Sequence, residues 1–255
     1  MLERGENELM MWNRTEVIIP AMTHGLGTRL LAELIGTFAL IFAGVGAIAM
    51  DAGLLGVALA HGLTIAIMAM ALGPVSGGHF NPAVSLALFS IRKFGLSEMF
   101  SYWGAQFVGA TLASLMWLLI GGSGLMNSIS YGIPEVHSLT RTSGTFTINP
   151  FGALVLEAIM TFFLVLTITT VAVRQNHVLA GLFIGLTITV DILLGGPLTG
   201  AAMNPARWFG PALVSLRVEN LLQFGIYLVG PAVGAVGAAF TGMWLYDRKA
   251  QGETA

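Results

Sequence analysis

The chain has 255 residues, of which 55% are hydrophobic and only 9% are Asp, Glu, Lys or Arg. About 25% of the residues of a soluble domain are charged, so the composition excludes an ordinary soluble enzyme and a disordered chain. The formal net charge of −2 gives no indication of nucleic-acid binding, and the lack of cysteine excludes disulfides and cysteine catalysis. The mean hydropathy of +0.81 indicates a helical protein that crosses a membrane several times.

The first segment, residues 1–29, mixes charged and apolar residues, and we interpret it as a cytoplasmic tail. It lacks the basic start, apolar run and small-residue cleavage site of a signal peptide. Residues 247–255 form a second predicted cytoplasmic tail, which leaves residues 30–246 for the membrane domain.

Six apolar blocks in this domain are each long enough, at about 20 residues, to cross a bilayer. Two further segments reach only about half of the hydrocarbon core, at about 1.5 Å per residue, and each follows a Gly-rich stretch. We predict that they are re-entrant half-helices, because non-helical backbone at membrane depth must be buried in protein or line water. The blocks are Leu30–Met50, Leu54–Leu72, Met99–Ile120, Gly152–Val173, Val178–Leu194 and Leu221–Leu245, and the half-helices are Asn81–Ile91 and Asn204–Leu216.

The distribution of basic residues predicts the orientation. With the N-terminus inside, most Lys and Arg residues fall on the inner side of the membrane, whereas Arg141 and Arg217 fall on the outer side. Loops rich in Lys and Arg stay in the cytoplasm. We therefore expect both termini in the cytoplasm of a protein of the cell membrane.

The two halves of the domain, about 30–120 and 151–246, repeat one another. Four short segments of the first half match four of the second half in the same order and at nearly constant spacing. Each half contains three crossings, an odd number, so the second copy must be inverted in the membrane. Inverted repeats with broken helices place a substrate path at the repeat interface near the midplane. The matching pairs are Glu33–Phe38 with Glu157–Phe162, Gly62–Ile65 with Gly185–Ile188, Asn81–Ala83 with Asn204–Ala206, and Gln106–Ala110 with Pro231–Ala235.

The paired triplets Asn81-Pro82-Ala83 and Asn204-Pro205-Ala206 carry the main chemical signal. Asn is a good N-cap and Pro suits the first helical position, so each triplet predicts a helix start. Inversion brings both N-termini, with their partial positive charges and free N–H groups, to the same depth. An Asn amide that caps its helix through oxygen keeps N–H groups for the lumen. Two such donors at the midplane would hold a water oxygen, break a proton-conducting chain of waters and repel cations.

These residues resemble the aquaporin, or major intrinsic protein, family over about residues 29–246, with tonoplast-type channels the most similar in motif. The resemblance implies an all-α membrane protein: an hourglass of six transmembrane helices and two re-entrant half-helices, with one pore per subunit and a homotetramer. It rests on Ser76–Val84, Gly200–Pro211, Ala32-Glu33, Gly36-Thr37, Ala105-Gln106 and Gly230-Pro231.

Arg207 lies three residues after Asn204, on the same helix face, and a charged Arg in a membrane segment is costly and usually functional. In the family the Arg at this place narrows the pore and excludes cations. The resemblance implies that the other filter positions are His61, Ile192 and Ala201. It also implies that His137, in an outer loop, reaches the filter Arg.

Further residues are expected to line or support the pore by the same resemblance. His79 would line the cytoplasmic half, and the backbone of Gly77, Gly78, Gly200 and Ala201 would offer carbonyls to the permeant. Glu33, Glu157 and Gln106 would hold the backbone of the re-entrant loops. Asp191 has no predicted role.

The leading hypothesis is a passive channel for water, and also for ammonia or other small neutral solutes, that excludes protons and ions. A glycerol or urea facilitator, an ion-coupled transporter and a junction protein with a closed pore are the alternatives. Trp208 and Leu228 depart from water-selective members while Ala212 is similar to them, so the solute range stays open. We expect no enzyme activity, cofactor or metal, since no nucleophile–base or metal constellation is present. The expected partners are the permeants, the lipid bilayer and further copies of the chain.

Overall fold

The structure is a computed structural model, and it describes residues 24–141, 144–217 and 221–250. Most of both predicted tails, residues 1–23 and 251–255, lies outside the described residues. Ser130–Gly132 form a turn of 3₁₀-helix, and Ile168–Arg174 form a π-helical segment. The other elements are α1 (Leu26–Ala49), α2 (Gly53–Ser76), α3 (Pro82–Ser90), α4 (Leu96–Ser128), β1 (Ser138–Arg141), β2 (Gly144–Thr147), α5 (Pro150–Thr167), α6 (Ala180–Thr199), α7 (Pro205–Val214) and α8 (Leu221–Ala250).

Among the described residues, six helices are long and apolar enough to cross a membrane: α1, α2, α4, α5 with its π-helical extension, α6 and α8. The helices α3 and α7 have only 9 and 10 residues. The predicted fold class, six spanning helices with two half-helices, is therefore confirmed. The strands β1 and β2 form a small antiparallel hairpin that the sequence did not predict, in which Ser138 pairs with Thr147.

Local sequence explains why helices break in the middle of the molecule. The helix α2 ends at Gly77 with φ of 88° and α6 ends at Gly200 with φ of 74°, a left-handed conformation that glycine adopts readily. The next helix in each half begins on an Asn cap, with Pro at its first position. Each half therefore contains a helix, a short extended loop and a half-helix in succession.

The helix contacts show the internal repeat directly. In the first half α1 packs against α2 and α4, and in the second half α5 packs against α6 and α8. The two halves meet where α2 packs against α6. Each half-helix also packs against the last helix of the other half, α3 on α8 and α7 on α4. The two re-entrant loops are thus brought together in the centre of the molecule.

Glycines permit these close crossings. A methyl group on Gly62 of α2 would overlap the carbonyl oxygen of Gly185 on α6, and a methyl group on Gly185 would overlap that of Gly62. At equivalent positions of the two halves, Gly109 faces the backbone of Leu34 and Gly234 faces that of Ala158. Small residues let membrane helices approach to backbone contact.

Candidate functional site

The two Asn residues meet at the centre of the fold. Asn81 Oδ1 accepts a hydrogen bond from Ala83 N at 2.9 Å, and Asn204 Oδ1 accepts from Ala206 N at 2.9 Å. Each amide nitrogen also donates across the repeat interface: Asn81 Nδ2 to Met203 O and Asn204 Nδ2 to Phe80 O, both at 2.9 Å. An amide NH₂ has two hydrogens, so each Asn keeps one for the lumen rather than two.

A buried glutamate holds each re-entrant loop. Glu33 accepts hydrogen bonds from His79 N at 2.9 Å and Phe80 N at 2.6 Å. Glu157 accepts from Ala202 N at 3.0 Å and from Met203 N at 2.7 Å. The loop N–H groups would otherwise be unsatisfied at membrane depth, which is costly.

A hydroxyl before each loop also donates to the same carboxylate, Ser76 to Glu33 and Thr199 to Glu157, both at 2.7 Å. The loop backbone needs this support because it is strained. Phe80 has φ of 49° and Met203, its equivalent, has φ of 51°. Non-glycine residues in this region cost on the order of 1–3 kcal/mol and persist only where the surroundings hold them.

Two tyrosines, which the sequence analysis missed, complete the support. Tyr102 of α4 donates its hydroxyl to Ser76 O at 2.7 Å, and Tyr227 of α8 donates to Thr199 O at 2.6 Å. Both accepting carbonyls belong to the last residue of a broken helix, where intrahelical partners are lacking. The two tyrosines occupy matching places in the repeat, and this match is the signal that could have identified them.

A cavity of about 640 Å³ runs along the repeat interface past both Asn residues. One end, here called the Arg207 end, is lined by Arg207 and His61, and the other, the Lys93 end, by Lys93 and His177. Gly77 and Gly78 line the wall and contribute backbone, since glycine has no side chain.

His61 and Arg207 contact each other at the Arg207 end of the cavity. Arg207 Nε donates to His61 Nε2 at 3.2 Å. A guanidinium has no acceptor, so Nε2 must be the acceptor and His61 must carry its proton on Nδ1. That Nδ1 lies 2.9 Å from Val57 O, to which it donates. Both ring nitrogens of His61 are therefore occupied by protein groups.

The remaining predicted filter residues also line the cavity. Ile192 and Ala201 are both buried there, with 4% of each exposed. Opposite the lumen, Gly44 of α1 leaves space for the imidazole, since a methyl group at Gly44 would overlap the His61 ring. The structure therefore brings His61, Ile192, Ala201 and Arg207 to one cavity.

The predicted contact of His137 with Arg207 is not what the structure shows. His137 has an exposed side chain, and its backbone N donates to Leu198 O at 2.8 Å. The outer-loop partner of Arg207 is instead Gly132, whose carbonyl accepts from Nη1 at 2.7 Å. Gly132 has φ of 67°, which glycine adopts without a steric cost, and this conformation belongs to the turn that carries its carbonyl to the guanidinium.

His79 lines the cavity, but its ring is also engaged by neighbours. Its Nδ1 lies 2.9 Å from Ser85 Oγ, and its ring centre lies 4.7 Å from that of Phe94 and 5.0 Å from that of Tyr102.

Gln106 and Gly200 differ from the predicted contacts. Gln106 Nε2 donates to Glu33 Oε2 at 2.8 Å and to Ser85 Oγ at 3.2 Å, so it supports the carboxylate rather than the loop backbone. Gly200 packs against Pro134 of the outer loop, where a Cβ would lie 2.7 Å from Pro134 Cα. Gly200 is not among the described residues that line the cavity, so the offer of its carbonyl to the permeant stays a prediction.

Buried polar atoms without a hydrogen-bond partner among the described residues include Gln106 Oε1, Asp191 Oδ2 and Trp208 Nε1. Trp208 stacks on Tyr227, with ring centres 6.1 Å apart, and so packs against the tyrosine that supports the second loop. Asp191 lies one turn before Gly195, which contacts Met160 of α5. The carboxylate therefore belongs to the α5–α6 side of α6 rather than to the cavity.

Comparison with known proteins gives one consistent family. The chain matches the family model described as "Major intrinsic protein" over residues 22–242. It is 37% identical over 227 residues to "Aquaporin NIP1-1" of Oryza sativa subsp. japonica, covering 86% of this chain and 73% of the relative. It is 42% identical over 253 residues to "Probable aquaporin AqpM" of Archaeoglobus fulgidus, covering 89% and 98%. The motif likeness to tonoplast-type channels stays a prediction.

The fold is also similar to a solved structure, the aquaglyceroporin from Plasmodium falciparum. The TM-score is 0.77 at 28% sequence identity, and the match covers 88% of this chain and 98% of the other. The family model covers most of the chain, the relatives are more than one-third identical, and the helices match those of a solved channel. The chain therefore belongs to the major intrinsic protein family, and it is a multi-pass membrane channel of the aquaporin type rather than an enzyme.

Proposed function

We propose that this channel conducts water and ammonia through the cavity and rejects ions at its Arg207 end. The observation that carries the proposal is the hydrogen bonding of His61, both of whose ring nitrogens are used by Val57 O and Arg207 Nε. The imidazole thus offers no free polar atom, and Ile192 adds hydrocarbon. The donors left for a permeant at this level are N–H groups of Arg207. Such a site fits a small neutral solute with one polar atom.

Glycerol is the second candidate, because the similar solved structure is that of an aquaglyceroporin. Three hydroxyl groups would each need a partner as glycerol loses its hydration, and an unpaired buried polar group costs about 1–3 kcal/mol. The engaged His61 ring leaves few partners, so we expect glycerol and urea to pass more slowly than ammonia.

Ion and proton exclusion is assigned to two places. The Arg207 charge repels cations at one end, and the N-termini of α3 and α7 repel them at the centre. The remaining amide hydrogens of Asn81 and Asn204 would orient a central water so that it accepts from both. A water held in this way cannot pass a proton along a continuous chain.

Stopped-flow swelling of proteoliposomes with the purified chain tests this function. Water flux with a shallow temperature dependence, rapid ammonia entry and slow glycerol and urea entry are expected. Saturable uptake that depends on an ion gradient would instead identify a transporter, and glycerol flux equal to ammonia flux would favour the second candidate.

The filter residues are tested by the double variant His61→Phe with Ile192→His. Phe at residue 61 removes the Nε partner of Arg207, and His at residue 192 adds a polar ring across the lumen, so the filter narrows. Ammonia flux should fall relative to water flux, whereas Ile192→Val, which keeps the aliphatic wall, should leave the ratio unchanged. An unaltered ratio in the double variant would contradict the filter assignment.

We further propose that the Arg207 end faces the cell exterior, with both termini cytoplasmic, and that the chain forms a homotetramer in the cell membrane. The basic-residue distribution supports the orientation. The outer surface of the helix bundle carries many exposed large apolar side chains, which suit lipid and subunit contacts. Native mass spectrometry and protease accessibility in sealed vesicles test the two statements.

A further inference from the structure

The cavity wall near the midplane has the same composition in both halves. Leu40 of α1 and its equivalent in the repeat, Leu164 of α5, both line the cavity, as do Ile65 of α2 and its equivalent Ile188 of α6. The repeat therefore pairs each of these lining residues with another lining residue. The same pairing can be followed from the centre of the cavity to its two ends.

At the ends, the same relation joins residues of opposite character. Adding 123 to residue 84 gives 207, and adding 123 to residue 61 gives 184, so Val84 corresponds to Arg207 and Ile184 corresponds to His61. All four residues line the cavity. The repeat thus relates the polar pair of the Arg207 end to two hydrocarbon side chains, one from each half.

The other two filter positions also have lining equivalents. Ile192 corresponds to Ala69 and Ala201 corresponds to Gly78. We define the second ring as Val84, Ile184, Ala69 and Gly78. Its side chains contain no hydrogen-bonding atom, so backbone such as that of Gly78 is the polar part of the ring, and Val84 and Ile184 are only 2% and 8% exposed. The nearby His79 also lines the cavity: its Nδ1 is bonded to Ser85 and its ring packs on Phe94 and Tyr102, whereas its Nε2 has no hydrogen bond to another described residue, so the apolar element is the ring itself and not its neighbour.

We propose that the second ring is a second selectivity element, an apolar ring that disfavours water relative to ammonia. Hydrophobic constrictions oppose conduction because permeants lose hydrogen bonds there. Water gives up more hydration than ammonia on entering such a ring, so the ring lowers water flux more than ammonia flux. The filter at the Arg207 end then rejects charge, and the second ring sets the ratio of the two neutral permeants. This inference rests on the proposed passage of both solutes.

The test uses two single variants, Val84→Thr and Ile184→Thr, in proteoliposomes. Thr has nearly the shape of Val and carries a hydroxyl in place of one methyl group, which supplies a hydrogen bond at the ring. Because Thr is smaller than Ile, Ile184→Thr is compared with Ile184→Val, which shortens the side chain without the hydroxyl. Water permeability divided by ammonia permeability should rise about fivefold in each variant, since a net hydrogen bond contributes about 1 kcal/mol. Val165→Thr is the matched control: Val165 is 1% exposed and is not among the described lining residues, so the ratio should not change.

The outcomes separate the two proposals. If the unaltered protein passes both solutes and neither Thr variant changes the ratio, the second ring is not a selectivity element and the proposed function stands. If the unaltered protein passes water but not ammonia, the proposed function and this inference both fail. Thermal unfolding of each variant in detergent identifies a misfolded protein. If one of the two Thr variants is misfolded, the permeability ratio of the other one tests the second ring.

Discussion

The imidazole of His61 fits between α1 and the lumen because residue 44 is glycine. A methyl group at Gly44 would overlap the ring and push it towards Arg207. The Gly44→Ala variant should therefore lower water permeability several-fold while the protein still folds. Stopped-flow swelling, normalised to the amount of protein in the vesicles, measures the change. Gly104→Ala is the control, because a Cβ at Gly104 meets nothing within 4 Å, and equal loss in both variants would contradict the assignment.

The buried carboxylates of Glu157 and Asp191 differ in their hydrogen-bond partners. Glu157 accepts hydrogen bonds from Thr199, Ala202 and Met203, whereas Asp191 Oδ2 has no partner among the described residues. In Glu157→Gln an NH₂ group faces an N–H donor. The free energy of unfolding should therefore fall by about 2–3 kcal/mol, the scale of hydrogen bonds to charged groups. Asp191→Asn should leave stability unchanged or raise it. Thermal unfolding in detergent compares the two, and the opposite order would contradict these contacts.

At the scale of elements, the half-helices α3 and α7 direct their N-termini at one point. Asn204→Asp keeps the size of the side chain, but it removes the hydrogen bond to Phe80 O and adds a negative charge where the helix dipole is positive. The dipole stabilises such a charge by roughly 1 kcal/mol, and the charge cancels part of the barrier to cations. Proton flux relative to water flux should rise about fivefold.

A pH-sensitive dye trapped in proteoliposomes measures this flux. Asn149→Asp is the matched control, because Asn149 also caps a helix, accepting from Gly152 N at 2.7 Å, but is exposed and is not among the described residues that line the cavity. Proton flux that rises in both variants, or in neither, would contradict a central barrier at the half-helices.

At the scale of the whole molecule, both halves of one chain line the cavity together. In the proposed homotetramer, each subunit should then conduct independently of its neighbours. Water flux in vesicles that contain mixed assemblies of unaltered and Gly44→Ala subunits should fall in proportion to the fraction of variant subunits. A steeper fall, as when one variant subunit closes a shared pore, would contradict this expectation.

Local patterns in the amino-acid chain were enough to predict the membrane-crossing helices and the two half-helices, though not the hairpin of β1 and β2. Hydrophobic length predicted six spanning helices, Gly-rich stretches before Asn-Pro predicted the two half-helices, and the repeat predicted their inversion. These features are local or periodic, so they can be read without knowing which residues meet. The pairing of Glu33 and Glu157 in the repeat also indicated that each carboxylate serves one loop.

The hydrogen-bond partners of the buried polar groups, in contrast, became clear only from the packed helices. Tyr102 and Tyr227 reach carbonyls of broken helices, and Gly132 rather than His137 receives Arg207. The Asn amides bond across the two halves, and Gln106 holds a carboxylate instead of the loop backbone. The physical reason is that hydrogen bonds between distant residues depend on helix crossings to within a fraction of an ångström. Those crossings are set by glycine contacts such as Gly62 with Gly185, which no local pattern specifies.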